Sequence, residues 1–187
     1  MKDVRLEAGQ SPAVSSETPR ALVVYESMFG NTEQIARAIA AGLGESVEVD
    51  TVEVSQAPAA PGPDVALIVA GGPTHAFSMS RENTRADAIT RGASEGGREF
   101  GLREWVNGLP SGHHDERLAT FDTRMRHLPG SAAKRAAKIT RRHGYPAAAA
   151  AESFYVDDVD GPLLERETER ATQWGRLLAT SMTAPTH

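Results

Sequence analysis

Cysteine is absent from the 187 residues of this chain. Disulfides, thiolate metal sites, iron–sulfur clusters and thiol nucleophiles are therefore excluded, and any redox role requires a cofactor that the chain binds. Excess basic charge is absent as well, because the formal net charge is -5. Nucleic acids and anionic lipid surfaces attract proteins with clustered, uncompensated Lys and Arg. The composition therefore predicts that neither nucleic acid nor membrane is a partner.

The chain also lacks a long apolar run near its start. A membrane-spanning helix needs about 20 consecutive apolar residues, and a secretion signal needs a shorter apolar core. Residues 1–20 are mostly polar and include three acidic side chains. We therefore expect a disordered leader at residues 1–20, a single domain at residues 21–180, a flexible tail at residues 181–187 and a cytoplasmic location.

Two uninterrupted apolar runs are the clearest signals in what is present. Residues 21–25 and 65–70 are rich in Val, Leu, Ile and Ala, which is typical of central parallel strands covered on both faces. Weaker strand patterns lie at residues 47–53, where apolar and acidic residues nearly alternate as in an edge strand, at residues 117–121 and at residues 152–156.

Helical patterns separate or follow these strands. Apolar residues recur at helical spacing over residues 35–43, and a short helix fits residues 102–109. An Ala-rich helix has a basic outer face at residues 134–142, and the last helix presents residues 164–178 to the core. The βα alternation predicts a doubly wound α/β fold, a five-stranded parallel sheet with helices on both faces. We take its strand order as 2-1-3-4-5, one of the common orders of such sheets.

Ligands of such sheets bind outside the carboxyl ends of strands where the strand order reverses. For this order the relevant loops are residues 26–32, 71–80 and 122–130. In the first loop, Ser27, Gly30, Asn31 and Thr32 form a tight turn into a helix, where hydroxyls, free N–H groups and the helix dipole suit a phosphate. Helix capping by Asn31 or Thr32 alone explains the same residues.

Two of these loops resemble those of one family. Residues 27–33, Ser-Met-Phe-Gly-Asn-Thr-Glu, follow an apolar strand and resemble the FMN phosphate loop of the flavodoxin-like family. Residues 72–79, Gly-Pro-Thr-His-Ala-Phe-Ser-Met, are similar to the second flavin-contacting loop of flavodoxin-like quinone reductases. The likeness extends over about residues 20–180 and implies a flavodoxin-like fold with FMN as the cofactor.

The resemblance also implies which residues contact the cofactor. The hydroxyls and amide of the first loop would hold the phosphate together with backbone N–H groups, and the second loop would lie beside the ribityl chain, with an aromatic ring on the flavin. The residues assigned to FMN are Ser27, Met28, Phe29, Gly30, Asn31, Thr32, Pro73, Thr74, His75, Phe77, Asp122, Thr123 and Arg124.

The sequence departs from the family's pattern at two places. Phe29 stands where many flavodoxins have a hydroxyl residue, and Arg124 lies in a loop where short-chain flavodoxins usually have aromatic and acidic residues. A cation near the flavin would raise its reduction potential. Simpler interpretations stay open: Phe77 could fill the core, His75 could be a solvated loop residue, and Asp122 could pair with Arg124 to fix the third loop.

The resemblance implies an FMN-binding redox protein that passes electrons to a partner protein or a small quinone-like acceptor. One alternative is an NAD(P)H-dependent quinone reductase, and another is a binding or regulatory module that has lost tight FMN binding. We predict no catalytic side chain. The run at residues 113–116, His-His-Asp-Glu, predicts a solvated turn rather than a metal site, because adjacent side chains diverge. The sequence does not determine the oligomeric state.

Overall fold

The computed structural model describes residues 19–93 and 99–183, apart from the side chain of Thr183. Its strands are β1 Arg20–Tyr25, β2 Glu48–Glu53, β3 Val65–His75, β4 Ser78–Met79, β5 Arg117–Met125 and β6 Glu152–Val156. Its helices are α1 Asn31–Leu43, α2 Glu82–Thr90, α3 Leu102–Gly108, α4 Ala132–His143 and α5 Glu167–Thr183. In this part of the chain, no helix is both long and apolar enough to cross a bilayer.

Five strands form a parallel sheet in the order β2-β1-β3-β5-β6. This confirms the predicted order 2-1-3-4-5, with β5 and β6 as its fourth and fifth members. The additional strand, β4, pairs antiparallel with the end of β3. It joins β3 through a two-residue turn at Ala76 and Phe77, which have φ angles of 43° and 71°. Such turns usually contain Gly or Asn, so the sequence carries no hairpin signal here.

Strands β3 and β5 are longer than the sequence patterns at residues 65–70 and 117–121 that predict them, since β5 extends to Met125. Strand β3 continues through the Gly-Gly-Pro sequence to His75, because Gly71 and Gly72 still pair with Phe121 and Asp122 of β5. A side chain at Gly71 would begin 2.3 Å from the ring of Phe121. The glycine therefore makes room for the aromatic ring beside it, where the sequence suggests only the end of a strand.

Two hydrophobic clusters cover the opposite faces of the sheet. Alternate residues of β1, such as Val23, pack with Phe121 and Phe154 against α1 and α5. The intervening residues, such as Val24, pack with Ile68 against α3 and α4. Since successive side chains of a strand point to opposite faces, a strand buried on both sides must be apolar throughout. This explains the two uninterrupted apolar runs.

The bounds of the last helix differ from the expected pattern. It begins at Glu167, so Leu164 precedes it, and Thr168 is exposed rather than on the inner face. Leu177 is also exposed, whereas Trp174 is buried with Leu178. Most of the expected leader lies outside the described residues. The expected tail overlaps the last turn of α5 at residues 181–183, and residues 184–187 are not described.

Helices α1 and α5 pack at close range through two glycines. A Cβ atom at Gly42 would lie 2.0 Å from the carbonyl oxygen of Thr172, and one at Gly175 would lie 2.2 Å from that of Ile39. Both neighbouring atoms belong to backbone in the middle of a helix, which cannot move independently. The two helices can therefore approach this closely only while both positions remain glycine.

Replacement of Gly175 by Ala should destabilise the protein by about 1–3 kcal/mol, because the added methyl group must push the two helices apart. Chemical denaturation monitored by circular dichroism measures this change. The matched control is Gly108→Ala, since a Cβ at Gly108 meets no atom within 4 Å. A Gly175→Ala variant as stable as the Gly108→Ala variant would contradict the close packing.

Candidate functional site

A cavity of about 220 Å³ opens at the carboxyl ends of the parallel strands. Loops that follow β1, β3 and β5 contribute to its wall, together with the loop after β6. Ten of the thirteen residues that the sequence assigns to a cofactor line it; the other three are Ser27, Gly30 and Asp122. The structure therefore brings most of the predicted residues together around one space.

Gly30 determines how the chain enters α1. It has a φ angle of 87° and is the N-cap residue, and no side chain caps this helix end by bonding from the N-cap position. Ser27 instead accepts a hydrogen bond from the backbone N–H of Glu33 at 3.2 Å. Asn31 and Thr32 are the first residues of the helix. The alternative in which either of them caps the helix is therefore wrong.

The backbone at this helix end retains unused donors. For residues 28–32, no hydrogen bond from a backbone N–H to a protein acceptor is found in the described part of the chain. Unpaired N–H groups at a helix N-terminus carry the positive end of the helix dipole, which favours an anionic ligand. The backbone of this turn is therefore suited to hold a phosphate.

The polar side chains of the turn have partners within the protein. Asn31 donates from Nδ2 to the carbonyl oxygen of Gly161 at 2.6 Å, and Thr32 shares a hydrogen bond of 2.7 Å with the hydroxyl of Thr123. The first bond ties α1 to the loop after β6, and the second ties it to β5. These side chains hold the walls of the cavity together, whereas the unpaired donors belong to the backbone.

The β3–β4 turn stands at the mouth of the cavity. Ala76 and Phe77 both adopt the left-handed conformation that side chains disfavour. Phe77 is 63% exposed, so it does not fill the core. Gly130 packs directly against the backbone of this turn. Its φ angle is 89°, and a Cβ there would lie 2.2 Å from the carbonyl oxygen of Phe77. The turn is therefore held in a strained conformation with its aromatic ring at the mouth.

His75 precedes this turn and is partly buried in the wall. Burial, and then the neighbouring cation of Arg91, lower the pKa of His75 below its usual value of 6.5. The imidazole is therefore neutral at pH 7, when it can both donate and accept a hydrogen bond. The interpretation of His75 as a freely solvated loop residue does not fit this position.

Asp122 supports the cavity from outside its lining. Its side chain is fully buried, and Oδ2 accepts hydrogen bonds from the hydroxyls of Thr74 at 3.0 Å and Ser131 at 2.6 Å. The same oxygen accepts the backbone N–H of Ala133 at 3.0 Å, in the first turn of α4. Asp122 thus joins the second and third loops to a helix N-terminus through Oδ2, whereas its buried Oδ1 has no hydrogen-bond partner in the described residues. The side chain does not line the cavity.

Arg124 lines the cavity at the end of β5. One guanidinium nitrogen donates to the carbonyl oxygen of Gly130, and the guanidinium carbon lies 5.9 Å from the ring centroid of Tyr155. In the described residues, Arg124 makes no hydrogen bond or ion pair with Asp122. The alternative in which these two side chains pair is therefore wrong, and a cation remains in the wall of the cavity.

The rim of the cavity is apolar and exposed. Five large hydrophobic side chains are exposed in the described residues, and three of them, Phe77, Leu128 and Val159, line this cavity. Exposed apolar clusters of this kind mark ligand-binding grooves, because leaving them in water is unfavourable. The sequence prediction missed Ala76, Met125, Leu128, Pro129, Val156 and Val159. The last two lie at and after the end of β6, which the strand order places at the sheet edge, and no motif distinguishes them.

Glu26 is another buried acidic residue near the cavity, and the sequence prediction did not assign it to the site. It follows β1 directly, is 4% exposed, and accepts hydrogen bonds from the hydroxyl of Ser80 at 2.5 Å and the N–H of Leu102 at 2.8 Å. Arg85 donates to the same Ser80 hydroxyl and pairs with Glu104 at 3.1 Å. Burial raises the pKa of Glu26 above its usual value of 4.5. An acidic residue immediately after a buried strand is the only signal of it in the sequence.

The His-His-Asp-Glu run forms two separate contacts. His114 Nδ1 lies 2.9 Å from Glu116, and His113 lies 3.5 Å from Asp115. Among the residues that the structure describes, no three His, Asp or Glu side chains are grouped so as to hold a metal ion. His114 also stacks on Tyr145 with ring centroids 3.7 Å apart. These residues lie outside the cavity.

Comparisons with known proteins point to one family. The flavodoxin family model matches residues 23–109, which include the first two cavity loops. A flavodoxin from the domain Archaea is 18% identical with a TM-score of 0.62, and the match covers 88% of this chain and 99% of that chain. Oxidised flavodoxin 1 from Bacillus cereus is 14% identical with a TM-score of 0.63 and coverages of 86% and 97%. A search of curated protein sequences finds no significant match.

Replacement of Glu26 by Gln should change how stability depends on pH. A carboxyl group whose pKa is raised by folding stabilises the protein at pH values below about 4.5, and this contribution is lost as the pH rises through the raised pKa. Relative to Glu26→Gln, the wild-type free energy of unfolding should therefore fall as the pH rises above about 4.5. Urea denaturation at several pH values measures it.

The control variant is Glu45→Gln. The ion pair with Arg176 lowers the pKa of Glu45, so its smaller contribution is present above about pH 4.5 and is lost as the pH falls. Its pH dependence should have the opposite sign. A Glu26→Gln variant that differs from the wild type by the same amount at every pH would contradict the assignment.

Proposed function

We propose that this flavodoxin-like chain binds FMN in the cavity and that the protein transfers electrons through the bound flavin. The observation that carries the proposal is the combination of unpaired N–H groups at residues 28–32 with an exposed apolar rim on the same cavity. A ligand with an anionic group and a flat apolar ring complements both parts. FMN has this chemistry, and the match to the flavodoxin family supports it over other ligands of the same kind.

The phosphate end of the proposed site depends on backbone geometry. No Lys or Arg lies in the turn at residues 26–32, so the amide groups and the dipole of α1 would supply the attraction. Phe29 offers no hydroxyl in place of the one that many flavodoxins use. The hydroxyls of Thr32 and Thr123, already joined at 2.7 Å, lie next to the amides and retain hydrogen-bonding capacity.

The ring end of the proposed site depends on apolar side chains. Phe29 and Phe77 are the aromatic residues of the cavity wall, with Met125, Leu128 and Val159 beside them. Covering such side chains with an aromatic ring stabilises the complex by about 25 cal/mol for each Å² of apolar surface removed from water. A stacked pair of rings adds about 1 kcal/mol. The exposed rim would thus be buried in the complex.

Within this proposal the protein contributes binding, orientation and electrostatics. FMN supplies the electron chemistry itself when it is bound. The chain holds the phosphate through backbone N–H groups, keeps the loops in place through the buried carboxylates of Glu26 and Asp122, and retains the cation of Arg124 in the cavity wall. No side chain is assigned a proton-transfer role.

Replacement of Gly30 by Leu should weaken FMN binding by at least about tenfold. Leu disfavours a φ angle of 87° by about 1–2 kcal/mol, and relaxation of that strain would turn the amide groups away from the phosphate. Titration of the apoprotein with FMN, followed by quenching of flavin fluorescence, measures the affinity. Thr32→Val should also weaken binding, because it removes the hydroxyl that joins Thr123.

The control for both variants is His113→Ala, which changes an exposed side chain outside the cavity. Equal FMN affinity in Gly30→Leu and the wild type would contradict the site. A purified wild-type protein that is colourless, and remains so after incubation with FMN and desalting, would instead support the alternative of a binding or regulatory module without flavin.

Arg124 favours a second candidate function, an NAD(P)H-dependent flavin reductase. A cation in the cavity wall stabilises a reduced, anionic flavin and therefore raises its potential, contrary to the need of a low-potential electron carrier. Bleaching of the yellow holoprotein by NAD(P)H alone, with recovery on addition of a quinone, would identify the reductase. Bleaching only in the presence of a partner protein would identify the carrier.

Replacement of Arg124 by Gln should lower the reduction potential of the bound flavin by tens of millivolts, which corresponds to roughly 1 kcal/mol of charge interaction. Equilibrium reduction against a reference dye measures the potential. Arg126→Gln is the matched control, because Arg126 lies over the Tyr155 ring at 4.9 Å but does not line the cavity. Equal potentials in the two variants would show that Arg124 has no special effect on the flavin.

A further inference from the structure

A second, larger groove lies along α4, away from the flavin cavity. Its volume is about 880 Å³, and it runs between α4 and residues 145–151, with Leu118 and Thr120 of β5 also lining it. The segment that leads from α4 to β6 pairs irregularly with β5. Ala147 pairs with Leu118, yet Glu152 pairs with Phe121, so five steps of one chain oppose three of the other. Residues 147–152 therefore contain two residues more than the β5 residues they face, and this segment forms the wall of the groove opposite α4.

Four cations line this groove: Lys134, Lys138, Arg141 and Arg142. All four are exposed, and none forms an ion pair with a carboxylate in the described part of the chain. Six other arginines each pair with Asp or Glu: Arg20, Arg37, Arg85, Arg166, Arg170 and Arg176. In a chain of net charge -5, these unpaired cations lie together on one groove.

Tyr145 adds an unsatisfied donor to the same groove. The residue is 2% exposed and lines the groove, yet its hydroxyl has no hydrogen-bond partner among the described residues. Burial, and then the nearby Glu116, raise the pKa of Tyr145, so the phenol keeps its proton and can donate. A buried hydroxyl without a partner is unfavourable, and a ligand that accepts its hydrogen bond would remove part of this penalty.

The arrangement of the cations indicates the shape of the ligand. They are spread over nine residues of α4, from Lys134 to Arg142, which span about 12 Å along a helix. Side chains four residues apart on a helix are separated by about 6 Å, and alternate side chains of an extended chain are separated by about 6.6 Å. Carboxylates at alternate positions of an extended peptide would therefore match Lys134, Lys138 and Arg142, which are four residues apart, whereas a small anion would contact only one or two cations.

The opposite wall of the groove fits a peptide main chain. Ala147, Ala149, Ala150 and Ala151 line it, and their methyl groups leave room for backbone to approach closely. Among the described residues that line the groove, Tyr145 has the single aromatic ring, and it is buried against His114, so it is not available for stacking with a nucleic acid base. The charge pattern, the small side chains and the orphaned hydroxyl thus favour a carboxylate-rich polypeptide over a nucleic acid.

We propose that the groove along α4 binds an extended acidic segment of another protein. Carboxylates of the segment pair with Lys134, Lys138, Arg141 and Arg142, and one acceptor bonds the hydroxyl of Tyr145. This interaction does not rest on the proposed flavin function, because the groove and the cavity share no lining residue. The first turn of α4 nevertheless follows the loop that rims the cavity, so a bound partner would lie close to it.

The test uses a fluorescein-labelled peptide of alternating Glu and Ala, about eight residues long, which spans the row of cations. Fluorescence anisotropy with the full-length protein should show saturable binding in ~20 mM salt that weakens at ~300 mM salt. Lys138→Glu should weaken binding by about tenfold, because attraction becomes repulsion within the groove. Tyr145→Phe, which removes only the hydroxyl, should weaken it by about threefold.

The matched control is Arg135→Glu, which makes the same charge reversal on an exposed residue of α4 that does not line the groove. Equal losses in Lys138→Glu and Arg135→Glu would show general charge attraction and overturn the proposal, as would an absence of binding at low salt. Tighter binding of a single-stranded oligonucleotide of equal charge would also overturn it. FMN affinity, measured on the same variants, should not change, so failure of either proposal can be recognised separately.

Discussion

The alignment of β1, β3 and β5 at their carboxyl ends determines where the core packs and where the cavity lies. Gly71 of β3 pairs with Tyr25 of β1 on one side and with Phe121 of β5 on the other. Strand β1 ends at this pairing, whereas β3 and β5 continue for four more residues, to His75 and Met125. The loops that leave these three carboxyl ends enclose the cavity. Gly71 also leaves the space that the ring of Phe121 fills. One residue without a side chain thus permits both the packing of the core and the position of the site.

Buried carboxylates then fix the loops on that edge. Asp122 joins the second loop to α4, and Glu26 joins the end of β1 to Ser80 and to the start of α3. A buried carboxylate is unfavourable unless it accepts several hydrogen bonds, so these networks are stable only when every loop is in place. Buried hydrogen bonds behind the cavity wall therefore hold the loops in place, while the surface that faces the ligand consists of backbone amides and apolar side chains.

The cavity beside the loop after β5 and the groove along α4 differ in chemistry. The cavity side is apolar with a single cation, whereas the groove side has a row of four cations and an orphaned phenol. Helix α4 has a core-facing alanine stripe, and this stripe allows it to pack closely on β5 while its long basic side chains extend outward. The proposed flavin cavity and the proposed groove for an acidic segment therefore share no lining residue.

The amino-acid sequence is sufficient to predict the α/β class and the loops that meet at the cavity. These follow from local patterns: strands buried on both faces read as continuous apolar runs, and the turn at residues 27–32 has its glycine at a helix start. The tertiary structure alone decided that Asp122 supports the cavity from outside, that Phe77 lies at its mouth, and that the loop after β6 completes the wall. It also decided that Glu26 and Tyr145 are buried. Each of these facts depends on contacts between residues far apart in the chain, and local periodicity carries no information about such contacts.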